Sequence, residues 1–199
     1  MKPSIYIAIL ILLASCDLGE KEAPYIEKIP RLSNVPGAGI SFVIPDEEGW
    51  MLFDPDGKGA MIVRQGRSKI ESYIISLDTY QQSVPKTEDK FKQLYQVLKQ
   101  RETSPPRYKP LAIEDRLRDS KNSYCIDFYY LVEDSQPKEL PVGDDYMLLE
   151  TMGFFAVHPN ISNYMVRVAY SYRYAKGHED PQFKTKAKWV LEQLTFTNQ

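Results

Sequence analysis

The stretch Tyr164–Tyr174, with the sequence YMVRVAYSYRY, decides the fold of this 199-residue chain. Every even-numbered position in it carries tyrosine or valine, whereas Arg167, Ser171 and Arg173 occupy odd-numbered positions. Alternation with a period of two is typical of a β-strand, because successive side chains point to opposite faces of a sheet. The stretch therefore predicts a long strand with an apolar face and a polar face.

The preceding segment, residues 147–157, is predicted to pair with this strand across the turn at residues 158–162. We expect a register that sets Glu150 beside Ser171 and within reach of Arg173. The tyrosine–valine row then lies beside three apolar residues, Leu149, Phe155 and Val157. A slip of one residue would exchange the faces and mix charge into the apolar row, so it should be disfavoured.

Two helices accompany the predicted strands. Thr87 can cap a mid-chain helix, and a C-terminal helix opens at Asp180-Pro181. Their apolar stripes recur at helical spacing: Phe91, Leu94, Tyr95 and Leu98 in the first, and Phe183, Ala187, Val190, Leu191 and Leu194 in the second. The predicted fold class is α+β, an antiparallel sheet packed with a mid-chain helix and a C-terminal helix.

Five polar side chains form the strongest candidate site if the long strands are neighbours: Asp127, Glu150, Arg167, Ser171 and Arg173. Two arginines and two carboxylates can orient an anionic ligand or a peptide. The plainer interpretation, which the sequence favours, is a salt-bridged face of the sheet in contact with solvent.

Other reactive side chains do not form a motif. His158 and His178 both lie in turn-like contexts, and no histidine–cysteine cluster has the spacing of a zinc site, so neither a metal nor a cofactor is predicted. Cys125 lies in an aromatic strand segment, which indicates a small packed residue; the alternative is a nucleophile. Residues 54–57 predict a hairpin turn rather than a calcium site.

The N-terminus has the layout of a secretory signal. Lys2 supplies a positive charge, residues 5–13 form an apolar run too short to span a bilayer, and small residues precede Cys16. The ending Leu13-Ala14-Ser15-Cys16 resembles the bacterial lipobox. That resemblance implies that Cys16 is acylated, becomes the first mature residue and anchors the chain in a membrane of the cell envelope. Asp17 resembles the signal for retention in the inner membrane. The alternative is a plain secretory signal.

Three segments are predicted along the chain: a signal peptide at 1–15, a lipidated cysteine with a flexible tether at 16–36, and a single domain at 37–199. Proline and charged residues without periodicity indicate the tether; the alternative is that Tyr25, Ile26, Ile29 and Leu32 dock on the domain. The formal net charge of −2 and the lack of a basic run give no indication of nucleic-acid binding.

Two short motifs bracket the predicted domain. Residues 39–45, GISFVIP, followed by Gly49-Trp50, resemble the start of PsbP-like domains, and residues 189–196, WVLEQLTF, resemble their C-terminal end. The resemblance implies an α/β sandwich and a mostly non-catalytic accessory role.

These observations predict an envelope lipoprotein that acts as a binding or assembly accessory module with an envelope protein as partner. The alternative is an envelope hydrolase whose site is assembled from distant residues, for which a deep pocket around His158 or Cys125 would be evidence. A purely structural role is the third hypothesis.

Overall fold

A computed structural model describes residues 25–37, 39–54, 60–81, 83–118 and 124–198. The described residues form eleven β-strands and two α-helices. In chain order the elements are β1 (Tyr25–Lys28), β2 (Asn34–Gly37), β3 (Ile40–Val43), β4 (Met51–Asp54), β5 (Ala60–Gln65), β6 (Ser72–Gln81), α1 (Glu88–Thr103), β7 (Tyr108–Leu117), β8 (Cys125–Asp134), β9 (Met147–Val157), β10 (Tyr164–Tyr174), α2 (Phe183–Glu192) and β11 (Thr195–Phe196). The predicted signal peptide, Cys16, Asp17 and most of the predicted turn at 54–57 lie outside the described residues.

The strands form two antiparallel sheets. Eight of them follow the order β1-β4-β5-β6-β10-β9-β8-β7, and the other three follow the order β11-β3-β2. Strand β10 lies inside the large sheet, where it pairs with β6 on one side and β9 on the other. The predicted α+β fold class is therefore confirmed.

Both faces of the large sheet are covered. The tyrosine–valine row of β10 packs in one apolar cluster with side chains of β3 and α2, among them Phe42, Phe183 and Val190. On the other face, Phe91 and Tyr95 of α1 pack in a second cluster with side chains of β8, β9 and β10. The sheet is thus the middle layer of the domain, with α1 on one side and the small sheet and α2 on the other.

Helix α1 begins as the sequence predicts. The Thr87 side chain accepts a hydrogen bond from the backbone N–H of Lys90, and Glu88 and Asp89 lie in the positive first turn. Helix α2 begins at Phe183, after the predicted start at Asp180-Pro181. The Asp180 side chain still caps the turn before the helix, because its Oδ1 accepts a hydrogen bond from the backbone N–H of Gln182 (2.9 Å). Its Oδ2 accepts hydrogen bonds from Tyr73 (2.7 Å) and Lys186 (2.9 Å).

The predicted register between β9 and β10 is wrong by one residue. Tyr172 lies opposite Glu150, and Arg173 lies opposite Leu149. The tyrosine–valine row therefore runs beside Glu150, while Phe155 shares a face with Arg167. The physical reason is that both faces are buried, so a difference in polarity between the faces does not select the register as it does in a half-exposed sheet.

The predicted tether at residues 16–36 also needs correction. Tyr25–Lys28 pairs with β4 and Asn34–Gly37 pairs with β3, so both segments belong to the domain. Backbone hydrogen bonds from Ile29 to Trp50 (3.0 Å) and from Ile44 to Ser33 (2.9 Å) hold the connection between them. Pro36 is compatible with pairing because β2 is an edge strand, where a missing N–H costs little.

Candidate functional site

The five polar residues predicted to form one site lie on both faces of the large sheet. Arg167, Ser171 and Arg173 share the face that packs against α1. Glu150 lies on the opposite face, where its carboxylate accepts a hydrogen bond from the Tyr129 hydroxyl (2.8 Å) and burial raises its pKa. Asp127 forms an ion pair with Arg118 (2.6 Å). The prediction of a single five-residue cluster is therefore wrong, and only the three residues of β10 stay together.

Arg167 is the buried centre of a charge cluster whose two carboxylates are partly exposed. Its Nη1 donates to Asp78 Oδ2 (3.1 Å), and its Nη2 donates to Glu102 Oε2 (2.7 Å). The guanidinium group also lies over the ring of Phe128, 5.2 Å from the centroid. Only 8% of Arg167 is exposed, so the expected solvent-facing location is wrong for this residue. We refer to Arg167, Asp78 and Glu102 as the Arg167 cluster.

A second charge cluster lies further along the same face. The carboxylate of Asp134 is fully buried and accepts hydrogen bonds from Arg107 Nε (2.9 Å) and Nη2 (3.0 Å). Arg173 Nη2 approaches the same carboxylate at 3.0 Å. Burial acts to raise the pKa of Asp134, but the hydrogen bonds and charges of the two arginines hold it below its ordinary value. We refer to Asp134, Arg107 and Arg173 as the Asp134 cluster.

A cavity of about 170 Å³ lies on this face of the sheet, beside the C-terminal end of α1. Six of its lining residues come from α1 and four strands: Glu102, Tyr108, Tyr130, Thr151, Arg167 and Ser171. Thr151 and Arg167 are buried, whereas Glu102 and Tyr108 are only half-buried. We call this space the α1 cavity. Two of the predicted site residues, Arg167 and Ser171, line it.

The pairing of β9 with β10 positions the polar wall of the α1 cavity. Ser171 lies opposite Thr151, and the Thr151 hydroxyl donates to Ser171 Oγ (3.1 Å). On β8, the Tyr130 hydroxyl forms a hydrogen bond with the Tyr95 hydroxyl (2.6 Å). The cavity therefore presents a guanidinium group, a carboxylate and several hydroxyl groups within one small volume.

Sequence reasoning missed Glu102, Arg107 and Asp134. One signal was available for Asp134. It lies an even number of positions from the apolar residues of its strand, so its side chain points to the same face as Ile126, Phe128, Tyr130 and Val132. Glu102 and Arg107 have no such signal, because a carboxylate near a helix end and an arginine in a loop are ordinary surface residues in sequence terms.

The histidines are bound to structural partners. His158 is buried; its Nε2 faces the carbonyl of Gly39 at 2.8 Å, and its Nδ1 accepts backbone hydrogen bonds from Asn160 and Ile161. These contacts assign the proton to Nε2, and they tie the β9–β10 turn to the small sheet. His178 Nδ1 lies 2.6 Å from the buried carboxylate of Glu71. The turn role predicted for His158 agrees with these contacts.

Cys125 is a buried member of the apolar cluster beneath the small sheet. Burial raises the pKa of its thiol to about 11. A thiol needs its thiolate form to act as a nucleophile, so this environment favours packing over catalysis.

Within the described ranges, no group of three or more histidine, cysteine, aspartate or glutamate side chains is arranged to hold a metal ion. The two helices of the described part are each too short or too polar to cross a membrane. No family model matches the chain, and no curated protein matches it either.

Proposed function

We propose that this chain is a membrane-anchored lipoprotein of the bacterial cell envelope whose α+β domain is a non-catalytic binding or assembly accessory module. One observation carries the binding role: Arg167 and Ser171, two of the residues singled out from the sequence, line the α1 cavity together with Glu102. Ligand-binding sites usually combine apolar walls with a few polar groups, and the α1 cavity has both.

The surroundings of the candidate catalytic residues favour binding over the alternative of an envelope hydrolase. A general base needs a ring nitrogen that is free to accept a proton, but backbone amides occupy Nδ1 of His158 and a carbonyl occupies Nε2. The thiol of Cys125 has a raised pKa, which disfavours the thiolate at neutral pH. Both side chains therefore have structural partners in place of catalytic ones.

The anchor is inferred from the lipobox-like ending at Cys16. Acyl chains contribute about 0.8 kcal/mol per buried methylene, and two or more chains give stable attachment to a membrane. Strand β1 begins at Tyr25, so residues 17–24 separate the acylated cysteine from the domain. Eight residues span at most about 30 Å, which would keep the domain close to the membrane surface. Asp17 supports the inner membrane as the location.

Replacing Cys16 with alanine should release the protein from the membrane or leave it unprocessed. We expect the wild-type chain to sediment with membranes and to incorporate a labelled fatty acid, because the thiol of Cys16 carries the lipid. Cys125→Ala is the matched control, since it removes the other cysteine and should leave labelling and sedimentation unchanged. A Cys16→Ala variant that sediments with membranes as a processed, wild-type-like species would refute the anchor.

A further inference from the structure

We propose that the α1 cavity binds a small zwitterion, with a cationic amine held at the Arg167 cluster and a carboxylate directed toward the Asp134 cluster. This inference rests on the proposed binding function and names the ligand class for that module. A free amino acid with a small side chain is the simplest molecule of this class.

The volume of the cavity limits the size of the ligand. A cavity of about 150 Å³ accommodates a molecule as large as benzene, and the α1 cavity is about 170 Å³. Alanine, threonine and valine fall in this size range. The half-buried positions of Glu102 and Tyr108 place the entrance between the end of α1 and the start of β7.

The Arg167 cluster attracts a cation. Arg167 carries one positive charge, whereas Asp78 and Glu102 carry two carboxylates. Arg167 binds Glu102 through Oε2, and Glu102 Oε1 forms no hydrogen bond within the described residues. Burial acts against the charged form and raises the pKa of Glu102, while Arg167 opposes that rise. A ligand ammonium group could bind at Oε1 and would balance the surplus negative charge.

The Asp134 cluster attracts an anion, because two arginines share one carboxylate there. Ser171 and Val132 line the cavity, and Arg173 and Asp134 are the next residues on the same face of the same strands. Arg173 Nε is buried and has no hydrogen-bond acceptor in the described part of the chain. The positive cluster therefore lies directly beyond the end of the cavity that is formed by Ser171 and Val132.

Tyr108 connects the two clusters. Its ring lies beneath the guanidinium group of Arg107, 4.9 Å from the Arg107 Cζ, and the residue also lines the cavity. Burial raises the pKa of its hydroxyl, and charges from both clusters act on it. One small cavity thus lies between a negative surplus and a positive surplus, and this arrangement matches the separated charges of a zwitterion.

The polar wall adds a donor between the two ends. The Thr151 hydroxyl donates to Ser171 Oγ, which leaves the Ser171 hydroxyl hydrogen available for an acceptor. A ligand carboxylate next to Ser171 would use this hydrogen and would lie on the side of Arg173.

Calorimetric titration of the purified full chain in detergent tests the proposal with matched probes. L-alanine, L-threonine and L-valine are the zwitterions; isobutylamine is valine without its carboxylate, and isovalerate is valine without its amine. We expect saturable binding of at least one zwitterion, with isobutylamine and isovalerate bound at least about tenfold more weakly, because each lacks one charged contact.

Two variants locate the binding site. Glu102→Gln should weaken zwitterion binding by about tenfold, and Ser171→Ala by a smaller factor, whereas Glu88→Gln in the first turn of α1 should change nothing. The proposal would be overturned if none of the three zwitterions bound saturably. It would also be overturned if isovalerate bound as tightly as valine, or if Glu102→Gln left the affinity for the zwitterion unchanged. Each of these failures would leave the membrane attachment of the wild-type chain unaffected, so the anchor is tested separately.

Discussion

Replacing Gly153 with alanine should destabilise the domain by about 3 kcal/mol or more, the largest effect we expect from the addition of a single methyl group. A Cβ atom at this position would lie 2.1 Å from the backbone oxygen of Val168 and 2.8 Å from Cζ of Phe128. Val168 belongs to β10, which pairs with β6 and β9 and so cannot shift without breaking the centre of the sheet. The clash is therefore with backbone that has no room to relax.

Equilibrium unfolding in urea, followed by circular dichroism, measures this effect. Gly143→Ala is the control, because a Cβ at that position meets nothing within 4 Å and encounters only the penalty of a positive φ of 90°. That penalty is about 1–2 kcal/mol. If Gly153→Ala destabilised the domain no more than Gly143→Ala does, that result would contradict the close approach of β9 to β10 at Gly153.

Replacing Arg167 with alanine should destabilise the domain by about 2 kcal/mol, because it removes a buried cation from its contacts with two partly exposed carboxylates. Glu102 would lose the donor at Oε2, Asp78 would lose its partner, and the ring of Phe128 would lose the guanidinium group above it. Glu102 is half-buried, so the loss of its cationic partner disfavours its charged form.

Arg118→Ala is the matched control for Arg167→Ala. Arg118 also forms an ion pair with a carboxylate and also lies over a phenylalanine ring, but its side chain is 52% exposed. Exposed ion pairs contribute about 0–1 kcal/mol, so this variant should remain near wild-type stability in the same urea titration. Equal losses for the two variants would contradict the buried location of Arg167.

The sequence was sufficient to predict the main elements of the fold. The period-two alternation at residues 164–174 and the apolar stripes of the two helices correspond to β10, α1 and α2. These patterns are local, since each follows from which side of one element meets the core. Local patterns were therefore sufficient to predict the α+β fold class.

The register of β9 and β10 was not predictable in the same way. The prediction assumed that one face of the sheet meets solvent, so charged residues were assigned to that face together. In the structure α1 covers the face of Arg167, and Glu150 on the opposite face is also buried. The register depends on how three layers pack together, and alternation within a single strand does not contain that information.

The candidate site was predictable only in part for a related reason. Arg167, Ser171 and Arg173 lie on one strand at even separations, so the alternation of side chains along a strand was enough to place them on one face. Glu102 and Asp134 reach them through the packing of α1 and the order of the strands in the sheet. Contacts between residues 65 and 39 positions apart follow from the tertiary fold, for which sequence spacing gives no indication.

Crosslinking inside cells, followed by mass spectrometry, tests the central claim most directly. Cells that express the lipidated wild-type chain are compared with cells that express Cys16→Ala at matched levels. We predict that the anchored form captures a distinct envelope protein that the unanchored form does not capture. A set of captured proteins no richer than that of Cys16→Ala would contradict the account of a membrane-anchored accessory module.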